Sequence, residues 1–417
     1  MSDVTSKTKN PVLLIHGYSA SYKSFDVWKQ VLKAKDYDVK TIHTGNYITL
    51  TNEITIKDLA EGFDRALRWL ELNGKFDENQ DFDVIVHSTG MLIVRAWLTA
   101  YATTERRKRL KHIIGLAPAS FGSPLAHKGR SWLGSIFKGK KEFGPDFLEA
   151  GDRILDNLEL GSSFTWELAH KDLVRSIDQN LLESIDSASL KPEALKLKPF
   201  YGAGDDTPYV FIFCGTEPYS YERLTRFVSG KGTDGTVRLA GCSLNTRKIT
   251  IDLTKEPTVE GRVSFSDWVN AGVEPLIPIK GLNHSTILSE PTKELVEMVV
   301  EALGVSNQER LEWWHNQAVV HLDKTVQNGL AQWQQFVVRA VDERNDPITD
   351  YHIQLYRKEG MLTIELNLSK YLIDSQEKLF YPFTTTLVEI RLNREPYPLG
   401  NKPIKLFGFI EQGESNP

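Results

Sequence analysis

Residues Asp83 to Trp97, Asp-Val-Ile-Val-His-Ser-Thr-Gly-Met-Leu-Ile-Val-Arg-Ala-Trp, constrain the fold more than any other stretch. The run Val84-Ile85-Val86 predicts a strand, and an amphipathic helical pattern begins right after Gly90. Only His87-Ser88-Thr89-Gly90 separates the two. A strand, a sharp turn and a helix with serine at the apex is the geometry of a nucleophile elbow. Such a turn lifts the Ser88 hydroxyl clear of a sheet. It also aims the N–H groups of the helix start at any negative charge that forms there. Gly90 fits because a side chain would crowd the adjacent backbone. Val86 departs from the pattern Gly-x-Ser-x-Gly, since it is bulky where the first glycine stands. Either the turn opens slightly or a neighbour is small.

Read along the chain, the elbow sits inside an alternating pattern. Pro11 to Ile15 reads as a buried parallel strand that leads into the loop His16-Gly17-Tyr18-Ser19-Ala20-Ser21. Trp28, Val31 and Leu32 then share a helical face. Tyr37 to Thr41 is a second strand. Leu59, Phe63, Ala66, Leu67 and Leu70 form one stripe of a helix over Ile56 to Leu72. Phe82 to Val86 is the third strand and His112 to Leu116 the fourth. This β-α-β alternation predicts an α/β fold with a mostly parallel sheet wound on both faces.

The pattern breaks from Pro118 to about Asp205, where helical patterns and Gly- and Lys-rich loops predict a lid or cap inserted at the C-terminal edge of the sheet. Strands then resume at Tyr209 to Cys214, Lys248 to Leu253 and Leu276 to Ile279. A helix over Lys293 to Leu303 closes the segment, and Gly304 ends it. The domain boundary is expected near 305. Beyond a polar helical stretch with Trp313, Trp314 and Trp333, the period changes to two. The short strands at Phe336, Tyr351 to Tyr356, Leu362 to Leu366, Thr386 to Leu392 and Ile404 to Ile410 predict a small all-β sandwich, so that 306–417 reads as a helical linker followed by that sandwich.

Composition excludes several classes. With a net charge of −5, nothing global favours nucleic acid. Cys214 and Cys242 are the two cysteines, which suits a reducing compartment. Met1 to Asn10 lacks the apolar core of a secretion signal, and no long apolar run exists, so residence in the cytoplasm is expected. No zinc or calcium pattern is present, and no metal or cofactor is expected. Gly134 to Lys141 imitates a phosphate-binding loop, but it ends in lysine and follows no strand.

Cleavage of an ester by serine needs a base for the hydroxyl, an acid that fixes the base's tautomer, and donors for the oxyanion. His284 follows the last strand of the alternating region and precedes its last helix, which suits the base. Two residues suit the acid. Asp234 lies in the turn Gly232-Thr233-Asp234-Gly235-Thr236-Val237, and Glu217 lies just past the Tyr209 strand. The Asp234 turn, between glycines, can hold a carboxylate still.

These motifs, His16-Gly17-Tyr18-Ser19-Ala20, Val86-His87-Ser88-Thr89-Gly90, Gly232-Thr233-Asp234-Gly235-Thr236-Val237 and Asn283-His284, together resemble the α/β-hydrolase lipases over residues 10 to 304. The bacterial triacylglycerol-lipase and lecithin–cholesterol acyltransferase-like branch is the nearest in pattern. The resemblance implies Ser88 as nucleophile, Asp234 as acid and His284 as base. It implies an oxyanion hole made by the backbone N–H groups of Tyr18 and Thr89. The implied substrate is a hydrophobic acyl ester or lipid. An acyltransferase or phospholipase on the same triad and a non-catalytic lipid-binding relative are the alternatives, and the last predicts a damaged triad. Phe147, Leu148, Leu155, Leu158, Phe164, Trp166 and Leu168 are candidates for an acyl pocket under the lid. The basic, aromatic stretch His127 to Phe143 either packs its aromatics on the core or lies on an anionic lipid surface.

Overall fold

The computed structural model describes residues 9–16, 25–42, 54–126, 152–174, 200–202, 207–219, 232–256, 262–266, 274–327, 335–348, 353–355, 385–392 and 404–406. The chain divides into two compact units. One is Met1–Asn245 with Trp268–Ala331, and the other is Thr246–Asp267 with Gln332–Pro417.

The first unit is built on a six-stranded sheet. Its strands are β1 (Val12–Ile15), β2 (Val39–Ile42), β3 (Phe82–His87), β4 (Leu110–Leu116), β5 (Tyr209–Gly215) and β8 (Leu276–Ile279). They run in the order β2-β1-β3-β4-β5-β8 with every pairing parallel. Every residue of β1, β3 and β8 is buried, which is why these strands read as near-continuous apolar runs. The strand order reverses at β1, which puts a topological switch point at the C-terminal ends of β1 and β3.

Helices α1 (Asp26–Lys33), α2 (Ile56–Leu72), α3 (Gly90–Ala100) and α4 (Thr104–Arg109) connect the early strands. A capping box starts α2: Thr55 Oγ1 accepts from Asp58 N at 3.3 Å and Asp58 Oδ2 accepts from Thr55 N at 2.7 Å. Helix α3 is buried from Gly90 through Leu98, because α2 and the helix Ser163–Asp172 both pack on it. One charged residue lies within that run. Arg95 is fully buried and forks onto Asp172, Nε to Oδ2 at 2.7 Å and Nη2 to Oδ1 at 2.9 Å. Its Nη1 donates to the Ser120 carbonyl, and the Tyr201 hydroxyl donates to Asp172 Oδ2 at 2.7 Å. A buried charge of this kind is tolerated only when its donors are satisfied. The network pins the inserted helix onto the elbow helix.

The described part of the insertion consists mainly of the helices Asp152–Leu158 and Ser163–Asp172. Leu155, Leu158, Phe164, Trp166 and Leu168 are buried there. Phe147, Leu148 and the basic stretch His127 to Phe143 lie outside the described residues.

Two expectations need correction. The strand at Lys248 to Leu253 does not continue the main sheet. It is β6 (Thr246–Asp252), and it pairs with β11 (Thr385–Arg391) and β7 (Val263–Phe265). A strand pattern encodes burial, not the partner. The helical stretch after 305 is not merely a linker either. The helix Gln308–Gln327 buries Leu311, Trp314 and Ala318 in the core of the first unit, with Trp314 edge-on to Phe211 of β5 at 5.3 Å between centroids. The compact division therefore differs from a single cut near 305.

In the second unit, β7, β6, β11 and β9 (Gln335–Val341) form a four-stranded sheet in that order. β11 is parallel to both β6 and β9, and β7 is antiparallel to β6. Ile249, Ile251, Ala340, Val388 and Ile390 make its core. β10 (Ile353–Leu355) and β12 (Ile404–Leu406) form a separate parallel pair. The strand expected at Leu362 to Leu366 lies outside the described residues. Among the described residues, no helix is long and apolar enough to cross a membrane.

Candidate active site

The elbow forms where β3 ends at His87 and α3 begins at Gly90. Ser88 between them has φ +52°, a conformation that costs a non-glycine residue free energy and is kept only where the surroundings fix it. Three backbone hydrogen bonds do so. Ser88 N donates to Leu116 O at 3.4 Å, and Ser88 O accepts from Ala119 N at 3.0 Å and Met91 N at 3.3 Å.

Val86 is accommodated by small neighbours. It pairs with Gly115 on β4 and with Ile15 on β1. A Cβ on Gly90 would lie 2.6 Å from the Ile15 carbonyl oxygen and 3.3 Å from Val86 Cβ. A Cβ on Gly115 would press on Pro118 Cγ at 3.0 Å and Met91 Cε at 3.1 Å. Gly90 thus leaves the room against Val86, while Gly115 leaves room for Pro118 and Met91.

Asp234 and His284, 50 residues apart in sequence, meet in the interior with both side chains fully buried. His284 Nδ1 donates to Asp234 Oδ2 at 2.7 Å, and His284 N donates to Asp234 O at 3.0 Å. The other carboxylate oxygen, Oδ1, accepts from Thr236 N at 2.9 Å and Val237 N at 2.7 Å. The turn that the sequence reads as a carboxylate holder does hold it. With Nδ1 donating, the neutral ring carries its lone pair on Nε2, the nitrogen a general base uses.

The base loop is stiffened from its own side chains. Asn283 Oδ1 accepts from Ser285 N and Thr286 N, each at 2.9 Å, and Asn283 N donates to Thr286 Oγ1 at 2.8 Å. His87 reaches the same loop, donating from Nε2 to the His284 carbonyl at 2.9 Å. The two imidazole rings are 4.6 Å apart between centroids. Burial, then the nearby His284, hold the His87 pKa well below the ordinary histidine value. His87 is therefore neutral, and its proton sits on Nε2.

Glu217 takes no part in this pairing. Its side chain is exposed, its N–H donates to Leu282 O at 3.0 Å, and its carboxylate lies 3.5 Å from Thr216 Oγ1. Thr89 is fully buried at the N-terminal cap of α3, where backbone donors lack helical partners. Tyr18 lies outside the described residues. The sequence assigns no role to His87, which touches the base loop, or to Tyr219, which touches both the acid and the base loop. Among the described residues, no group of three or more His, Cys, Asp or Glu side chains is arranged to hold a metal ion.

The family model described as Lipase (class 2) matches residues 9–123, which carry β1 and the elbow. Phospholipase PlaB from Legionella pneumophila in complex with thio-NAD has a similar structure, with a TM-score of 0.66 and 20% identity over 94% of this chain and 97% of that one. The same phospholipase described without that compound gives 0.64 and 19%, with equal coverage. Lipase BlEst2 from Bacillus licheniformis, in mature form, reaches a TM-score of 0.38 at 15% identity over 70% of this chain and 92% of its own, too loose a likeness to carry an argument. No curated protein sequence matches. The fold is that of an α/β-hydrolase with a mostly parallel central sheet. The segment that carries the elbow is similar to class 2 lipases.

Proposed function

We propose that this chain is a serine carboxylic-ester hydrolase, a lipase or esterase that cleaves hydrophobic acyl esters. Ser88 is the nucleophile, His284 the base and Asp234 the acid. His284 Nε2 takes the Ser88 proton as Oγ attacks the ester carbonyl. The backbone N–H groups of Tyr18 and Thr89 stabilise the oxyanion. The His284 imidazolium then protonates the leaving alcohol, and water activated by the same ring releases the acid from Ser88. Each oxyanion donor is worth about 10²–10³ in rate.

The observation that carries this reading is the buried Asp234–His284 pair, bonded at 2.7 Å, with the His284 ring tilted against that of His87, the neighbour of a strained Ser88. A phospholipid substrate is the second reading. What favours it is the likeness, across 94% of this chain, to a protein described as a phospholipase. In either case the insertion from 118 to about 205 acts as the lid, whose apolar helices supply the acyl pocket. The strands that follow the helix Gln308–Gln327, together with β6 and β7, contribute a small β-sandwich. The buried free thiols of Cys214 and Cys242 fit residence in the reducing cytoplasm.

The test is a panel of p-nitrophenyl esters of rising chain length and of phospholipid vesicles, assayed with the purified protein. Turnover of the esters is expected. Turnover of phospholipid alone would move the assignment to the second reading, and turnover of neither would end both.

A further inference from the structure

We infer that Tyr219 is a positioning residue, whose hydroxyl ties the acid loop to the base loop and holds Asp234 and His284 in register. The inference rests on the ester-hydrolase reading and names a part of the same site. Tyr219 stands four residues past the end of β5, in Thr216-Glu217-Pro218-Tyr219. Thr236 Oγ1 donates to the Tyr219 hydroxyl at 3.3 Å, and the Tyr219 hydroxyl lies 3.0 Å from Ser285 Oγ. Thr236 is two residues past the acid, and Ser285 directly follows the base. One phenol oxygen therefore bridges the same two loops that the Asp234–His284 pair joins.

The ring is seated as well as bonded. Gly235 has φ +93°, and a Cβ there would fall 2.7 Å from Tyr219 Cδ2 and 3.0 Å from Tyr219 N. The acid loop thus lies flat against the tyrosine, and only glycine permits that approach. Burial, reinforced by the Asp234 charge and opposed by the bonds to Ser285 and Thr236, raises the phenol to about 12. The hydroxyl keeps its proton at any working pH, so it accepts from Thr236 and donates to Ser285 at once.

Catalytic rates depend on sub-ångström placement of a base against its nucleophile, so a hydroxyl that sets the loop register acts on kcat more than on binding. The test compares the full-length protein with Tyr219→Phe, Ser285→Ala and the double variant. It measures kcat and KM on a p-nitrophenyl ester, the rate of fluorophosphonate labelling, and Tm. Tyr219→Phe keeps the ring and its seat on Gly235. We expect each single variant to lose about 5–10-fold in kcat and labelling rate, with KM and Tm unchanged. The double variant should be no slower than the worse single, because both changes open the same bridge. Wild-type kcat in Tyr219→Phe, or a double variant whose loss is the product of the two singles, overturns the inference while leaving the ester-hydrolase reading intact. A wild-type protein that neither turns over esters nor is labelled at Ser88 overturns both.

Discussion

Among the described residues the first unit contains two buried aspartate–histidine pairs, and the contrast between them is instructive. His112 Nδ1 lies 2.6 Å from Asp83 Oδ1, while His284 Nδ1 lies 2.7 Å from Asp234 Oδ2. By distance and burial the pairs are alike. They differ in place and in what the far nitrogen meets. Asp83 and His112 sit near the starts of β3 and β4, and His112 Nε2 is bonded to the Val305 carbonyl at 2.7 Å. Asp234 and His284 sit on loops beyond the strands, beside the elbow. The first pair staples two strands to the chain that follows the helix Lys293–Ala302. The second sets its ring against His87, the residue before Ser88, at 4.6 Å between centroids. An aspartate–histidine contact alone is therefore no mark of catalysis; the C-terminal strand ends and the adjoining Ser88 supply the meaning.

The sharpest break in the comparison comes from neutralising each acid. Asp234→Asn should lower kcat about 10³–10⁴-fold, since the amide allows the wrong His284 tautomer. Asp83→Asn should leave kcat within roughly twofold but cost about 1–3 kcal/mol of stability from an imperfectly satisfied buried contact. Steady-state kinetics beside urea denaturation separates these outcomes. Equal kinetic losses in the two variants would erase the distinction.

A third buried pair extends the contrast to a purely structural case. Asp172→Ala would leave Arg95 charged and unpaired inside α3, and breaking such a pair costs about 3–5 kcal/mol. The denaturation midpoint should fall strongly, with turnover per folded molecule little changed. If the midpoint stays put, the network does not hold the inserted helix.

A smaller effect concerns His87. Its folded pKa lies below its unfolded value, so the unfolded chain binds the proton first as pH falls. The full contribution to stability is present above about pH 6.5. Below that it declines by about 1.4 kcal/mol per pH unit until the folded pKa is reached. In Tm measurements from pH 7.5 to 5.5, the wild type should lose stability more steeply than His87→Gln. Parallel curves would mean that His87 is not the buried neutral group described here.

Much of this site was legible because its information is local. Strand, Ser88 and helix are contiguous, and the Asp234 turn carries its own donors. Val86 made sense only with the fold in hand, because the close approach of Gly90 to Val86 and to the Ile15 carbonyl is a tertiary contact. The same limit explains β6. Its alternation fits any half-buried strand, whereas its partner β11 lies more than a hundred residues on. The helix Gln308–Gln327 looked like a polar connector since most of its surface is polar, and the burial of Trp314 is a tertiary fact. Tyr219 had no local signature at all, for its partners come from two distant loops. His112 and Asp83 were invisible as a pair for the same reason.

The proposed chemistry requires Ser88 to be the group that His284 activates. The most direct measurement is labelling of the native protein with a fluorophosphonate, followed by peptide mass spectrometry, alongside the Ser88→Ala and Asp234→Asn variants. One adduct on Ser88, none in Ser88→Ala and strongly slowed labelling in Asp234→Asn is the predicted result. An adduct on another residue, or ester turnover retained by Ser88→Ala, would contradict it.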